Sequence, residues 1–228
     1  IKQGIATDGG LFVPMEIPKL SKEEILSYCS LLYSELAATI LSKFLTDFSY
    51  EELLEDCKNA YSSTSFSNEV CPLVKVDENT YSLELWHGPT CAFKDLALQL
   101  LPFLLTTSAK KVSGGKKIVI LVATSGDTGK AALEGFADVD GTEIIVFYPS
   151  QGVSDIQKRQ MITQMGKNVK VFGIEGNFDD AQRGVKEIFG NEALAAELEE
   201  KGYAFASANS INWGRLVPQI VYYSRAYV

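Results

Sequence analysis

Along the first quarter of the chain apolar residues recur at spacings of three and four, at Ile25, Tyr28, Leu31, Leu32, Leu36, Ile40, Leu41 and Phe44. That period gathers them on one helical face. After Ser49 the string YEELLEDCKNAY begins a new helix, with acidic residues in the first turn where the helix dipole favours them. Two helices are therefore predicted for an amino-terminal arm. Residues 62–68, SSTSFSN, are polar and without period, which marks a linker. The boundary is placed there, giving an arm over 1–68 and a second region over 69–228.

Beyond the linker, PLVKV and TYSLEL are short apolar and β-branched pieces suited to strands. The run LALQLLPFLL then predicts a helix made to be buried. From Lys116 the pattern alternates: KIVILVAT, EIIVFYP, NVKVFGIEG and YAFASA are β-rich. Between them TGKAALEGFADV, SDIQKRQMITQMG, FDDAQRGVKEIFG and NEALAAELEEKG read as helices, and a last helix starts near Asn212. This alternation predicts an α/β fold with a doubly wound, mostly parallel sheet and ligands at the carboxyl ends of its strands.

Composition narrows the partners. The chain has 228 residues, 46% hydrophobic and 22% charged, with no apolar stretch of the length a membrane span needs. A formal charge of −8 argues against nucleic acid, whose phosphates are bound by clustered Lys and Arg. A small molecule is the expected partner, with neither nucleic acid nor membrane. The cysteines Cys29, Cys57, Cys71 and Cys91 are widely spaced and His87 is the single histidine, so no metal site is expected. Reduced thiols in a cytoplasmic protein are the reading. The sequence opens at Ile1 without methionine and stops at Val228 within a helical pattern, so a part of a longer protein is expected.

Three places carry candidate chemistry. His87 sits beside a Gly-Pro turn, where capping the turn and contacting a ligand fit equally well, and a lone histidine gives little support to a hydrolase triad. The string TSGDTG, residues 124–129, follows a strand and opens a helix, so its N–H groups converge at a positive dipole end. An anion fits there, although an ordinary capped turn would use the same residues. A Walker loop does not fit, because Thr124 stands where glycine is needed and Ala131 follows Lys130. Lys94 is the third. It lies at the mouth of the apolar helix, where dipole and desolvation both disfavour an ammonium and favour an amine able to form an imine. Read alone, a surface lysine with a snorkelling stem and Asp95 as a solvated neighbour fits better.

Four stretches taken together change that reading. GIATDGGLFVP, LWHGPTCAFKD, ATSGDTGKAA and SANSINWGRLVPQIVYY closely resemble, in order, the threonine synthase family of fold-type-II pyridoxal-phosphate enzymes, relatives of the tryptophan synthase β-subunit. The resemblance spans nearly the whole chain. It implies pyridoxal 5'-phosphate as cofactor, held covalently by Lys94, which is then freed to act as acid and base. It implies O-phospho-L-homoserine as substrate, converted with water to L-threonine and phosphate. Ser125, Gly126, Asp127 and Thr128 match the loop that holds the substrate carboxylate, with Asp127 also approaching the cofactor. Asn209, Ser210 and Arg215 match the residues that receive the substrate phosphate; Lys158 and Arg159 are alternatives that the sequence does not rank. A relative that eliminates phosphate to give a 2-oxo acid, or one without catalysis, would share these motifs, and a homodimer is common in the family. The family's later S-G-N-F-G phosphate loop has no counterpart up to Val228. Weak cofactor binding by this chain alone is the expectation.

Overall fold

The computed structural model describes residues 1–6, 8–66 and 69–228; the last two residues of the predicted linker, and with them the boundary at 68, lie outside the described residues. The arm holds three helices, α1 (Lys22–Tyr28), α2 (Tyr33–Ser42) and α3 (Tyr50–Ala60), where the periodicity predicted two. The first stretch breaks because the Glu35 carboxylate accepts the Leu32 N–H at 3.0 Å and restarts the helix there. Leu26 and Leu32 point to solvent while Tyr28 and Leu36 are buried, so one apolar period had bridged two short helices. Ser21 with Glu24 and Ser49 with Glu52 form reciprocal caps at the starts of α1 and α3.

Next come an antiparallel hairpin, β1 (Leu73–Lys75) and β2 (Tyr81–Leu83), then α4 (Asp95–Leu98) and α5 (Leu101–Val112). The apolar run predicted as one helix is thus two. Pro102 has no N–H to offer the Leu98 carbonyl four residues back, so the ladder fails there. That freed carbonyl lets another helix approach. Gly135 packs directly against it: a Cβ at Gly135 would lie 2.0 Å from the Leu98 oxygen.

Gly135 belongs to α6 (Asp127–Phe136), which follows β3 (Lys117–Ala123). The chain continues through β4 (Thr142–Pro149), α7 (Asp155–Ile162), β5 (Val169–Ile174), α8 (Phe178–Gly190), α9 (Glu192–Glu200) and β6 (Tyr203–Ser207). It ends in α10 (Trp213–Leu216) and α11 (Pro218–Tyr227), divided by Pro218 at the first position of α11. The four long strands are parallel in the order β5-β4-β3-β6, as the alternating pattern predicts. On β3, Ile118, Ile120 and Val122 face a core shared with α4, α5, α6 and α7, while Val119, Leu121 and Ala123 face α8. Two covered faces explain why KIVILVA reads as an unbroken apolar run.

A further core joins the arm to the rest. Leu36, Leu41, Leu53 and Phe66 pack with Leu96, Leu100 and Leu104 and with Val217 and Val221, so α2 and α3 share a core with α4, α5 and α11. Among the described residues no helix is long and apolar enough to cross a membrane.

Candidate active site

From β3 the sheet grows outward through β4 to β5, and the chain then returns to lay β6 on the other side of β3. Sheets with such a reversal bind ligands at the carboxyl ends of the strands on either side of it, here β3 and β6. The loop after β3 carries residues 124–128, and the loop after β6 carries Asn209 to Arg215. Asn209 ties the two together: its amide donates to the Ala123 carbonyl at 2.9 Å and accepts the Ala123 N–H at 3.2 Å.

Thr124, which in the sequence served only to exclude a Walker loop, shapes the first loop. It is buried, and its hydroxyl oxygen accepts the N–H groups of Gly126 and Gly129 at 3.1 and 2.9 Å. Ser125 is exposed, and Asp127 and Thr128 occupy the first two positions of α6. No acceptor among the described residues takes the N–H of Ser125, Asp127 or Thr128. Three donors are thus left at the positive end of a ten-residue helix, an arrangement suited to a carboxylate.

Lys94 reaches this loop from the other side. Its Nζ donates to Asp127 Oδ2 at 2.8 Å and lies 4.4 Å from the centre of the Phe93 ring. The residue is the N-cap of α4, a helix of only four residues. The predicted dipole effect is correspondingly small, and the carboxylate of Asp127 dominates the surroundings of the amine. Its side chain is 18% exposed, which removes the free surface lysine as a description.

Placement of Lys94 depends on the turn before it. Asp95 is fully buried rather than solvated, and its carboxylate accepts the Thr90 N–H at 2.8 Å and the Thr90 hydroxyl at 2.6 Å. Burial pushes the Asp95 pKa up, against those two bonds. Gly88 is required here, since a Cβ would sit 2.5 Å from that of Asp95. The glycine, threonine and aspartate of HGPTCAFKD therefore fix the loop that presents the lysine. His87 lies at the loop's other end, bonded to Glu84 at 2.7 Å and stacked by Trp86.

Arg215 has the most unusual setting. It is buried, and neither Nε nor Nη1 meets an acceptor among the described residues. Desolvation lowers its pKa, opposed by the negative fields of Tyr222 and Asp127. A buried guanidinium without a counter-ion is costly, so the site calls for an anion. Of the two alternatives, Arg159 is exposed on α7 and Lys158 half-buried beside Gln157, whose side chain fills the space next to Gly126. Ser210 is exposed nearby in sequence. Asn212, also missed, is fully buried and acts as a strut: its amide donates to the carbonyls of Ile1 and Ser207, both at 2.9 Å, and accepts the Gly214 N–H. Its position before a short helix with Gly two residues on was the signal available.

Two family models match the sequence: "Threonine synthase N terminus" over residues 1–61 and "Pyridoxal-phosphate dependent enzyme" over residues 71–220. The chain is 42% identical over 227 residues to a threonine synthase of Pseudomonas aeruginosa, covering 98% of this chain and 46% of that protein. It is 40% identical over 235 residues to a threonine synthase-like 1 protein of Homo sapiens, covering 99% of this chain and 31% of that one. Its fold is similar to the crystal structure of a pyridoxal-phosphate-bound threonine synthase from Brucella melitensis, with a TM-score of 0.85 and 40% identity, covering 98% of this chain and 47% of that one. The chain spans about half or less of the length of these relatives.

Proposed function

Since this chain belongs to the pyridoxal-phosphate dependent enzymes, we propose that its protein is a threonine synthase, converting O-phospho-L-homoserine and water to L-threonine and phosphate. The observation that carries the proposal is the buried Arg215, whose Nε and Nη1 meet no acceptor among the described residues, close enough to the Lys94–Asp127 pair to feel the Asp127 charge. An amine, a cluster of free N–H donors and an anion-seeking guanidinium fit a cofactor with an aldehyde and a substrate with both a carboxylate and a phosphate.

Pyridoxal phosphate, when bound, supplies the electron sink that makes carbanion chemistry at an amino acid accessible. Lys94 would hold it covalently, and its amine, when free, would carry protons to and from the substrate carbons. The N–H groups of Ser125, Asp127 and Thr128 bind the substrate carboxylate, Gly126 makes room for the Gln157 side chain against the loop, and the Asp127 side chain would serve the cofactor. Arg215 and Ser210 receive the phosphate. Asn209 adds the amide hydrogen that it does not give to Ala123, and its main work is to hold the β3 and β6 loops in register. The same reading places the protein in the cytoplasm.

Incubation of the protein with cofactor and O-phosphohomoserine, followed by product analysis, tests this. Threonine and phosphate in equal amounts are expected, with both lost in Lys94→Ala. Release of 2-oxobutanoate without threonine would instead make it a phospho-lyase, a reading kept open by the threonine synthase-like relatives that match over the same span.

A further inference from the structure

The Lys94 ammonium is gripped from two sides, by the Asp127 carboxylate at 2.8 Å and by the face of Phe93 at 4.4 Å. Both contacts occupy the nitrogen, since a carboxylate and an aromatic face each attract a cation. An amine that is to attack a carbonyl carbon must first lose its proton. We propose that Asp127 is a latch on Lys94: it docks the side chain between α4 and α6 and keeps the nitrogen engaged in an ion pair until a ligand takes over the contact. The proposal rests on Lys94 being the cofactor-bearing residue, and it adds a reason for an acidic side chain in the anion-binding loop.

Arg215 of α10 is close enough to feel the Asp127 charge, and Tyr222 of α11 adds its own field to Arg215. Asp95 is adjacent in sequence, but its carboxylate is held by Thr90. Asp127 is thus the anion bonded to the amine. When Lys94 Nζ bonds to an aldehyde carbon, the carbonyl oxygen leaves as water and the ammonium proton goes to solvent. Asp127 acts through Lys94 and is a positioning residue.

The test needs no cofactor in its first arm. Cofactor-free protein is treated with limiting acetic anhydride, and acetylation of every lysine is quantified by mass spectrometry, the other lysines serving as internal references for an intact fold. Asp127→Asn keeps the shape and one hydrogen-bond acceptor but removes the charge. Lys94 should become about three- to tenfold more reactive relative to the references, the scale of one partly shielded ion pair. Phe93→Leu should raise it less. In the second arm pyridoxal phosphate is the probe, with formation of the visible lysine-bound band followed in time and borohydride reduction locating the modified residue. The band should form faster in Asp127→Asn by a similar factor. Equal or lower Lys94 reactivity in Asp127→Asn overturns the latch even if Lys94 is still labelled by the cofactor. Faster acetylation with no cofactor label at Lys94 would keep the ion-pair latch and remove the cofactor reading.

Discussion

Asp56 offers a stability test in the interface between the arm and α5. Its carboxylate is 7% exposed and accepts the Thr107 hydroxyl at 3.1 to 3.2 Å. Desolvation pushes its pKa up from 3.8 to about 6; Glu55 and Glu52 add to the rise, and Thr107 and Lys110 oppose it. The folded protein therefore holds this proton more tightly than the unfolded chain. Stability contributed by the protonated form is complete below the unfolded value, is lost as pH rises towards about 6, and stays lost above it. A shift of about two units corresponds to roughly 3 kcal/mol at most, and partial access to water reduces this to about 1–2 kcal/mol. Asp56→Asn is neutral at every pH and keeps an acceptor for Thr107. In urea unfolding near neutral pH, the variant should be more stable than the parent by about 1–2 kcal/mol, through the midpoint and not the slope. Near pH 4 the advantage should vanish, because the parent is then protonated as well. Subtracting one protein from the other cancels the remaining carboxylates. An equal gain at both pH values, or none near neutrality, would refute the assignment of a buried, charged Asp56.

Gly135→Ala should cost about 2 kcal/mol or more despite alanine's better helix propensity, because its Cβ meets the Leu98 carbonyl at 2.0 Å; urea unfolding reads it, and a neutral result would mean that α4 and α6 are not packed this closely. Arg215→Met should leave the ligand-free protein as stable as before or more so, by removing an uncompensated buried charge, while lowering kcat/KM for the phosphorylated substrate about a hundredfold; a fall in both stability and activity would point to a structural ion pair instead. Thr90→Val removes the hydroxyl donor to a buried carboxylate and leaves the backbone N–H as its remaining partner, so it should cost about 1–2 kcal/mol in thermal or urea unfolding, with slower covalent labelling of Lys94; unchanged labelling would separate the Asp95 lock from the placement of the lysine.

How much of this could be read from the sequence depended on range. The parallel sheet was legible, since residues 117–123 are apolar at every position after Lys117 and lie between helical periods, which a strand covered on both faces requires. The helix breaks were less so. Leu32 and Pro102 each interrupt an apolar pattern that continues in phase on both sides, and only the Glu35 contact and the missing Pro102 N–H reveal the interruption. Asp95 shows a deeper limit. Nothing local distinguishes a solvated aspartate after a lysine from a fully buried one, because the burial comes from packing and the compensation from Thr90, five residues earlier.

The candidate site follows the same division. Ser125 to Thr128 could be placed from strand-then-helix grammar alone, and Lys94 from the family motif, but their meeting is a tertiary fact: a separation of 33 residues closes to 2.8 Å. That closure depends on residues with no obvious chemistry. Gly135 lets α6 settle onto α4, Gly88 admits Asp95 beneath the loop, and Asn209 and Asn212 hold the β6 loop against β3 and the first residue of the chain. Arg215 is then buried by its surroundings rather than by its own preference, which is why its bare guanidinium is informative. A surface arginine beside the same motif would have been consistent with an ion pair to any neighbour. With solvent withdrawn and no acceptor at Nε or Nη1 among the described residues, the proposed use of the charge is an anionic ligand, and the Lys94–Asp127 pair, whose carboxylate Arg215 feels, is the other half of that proposed site.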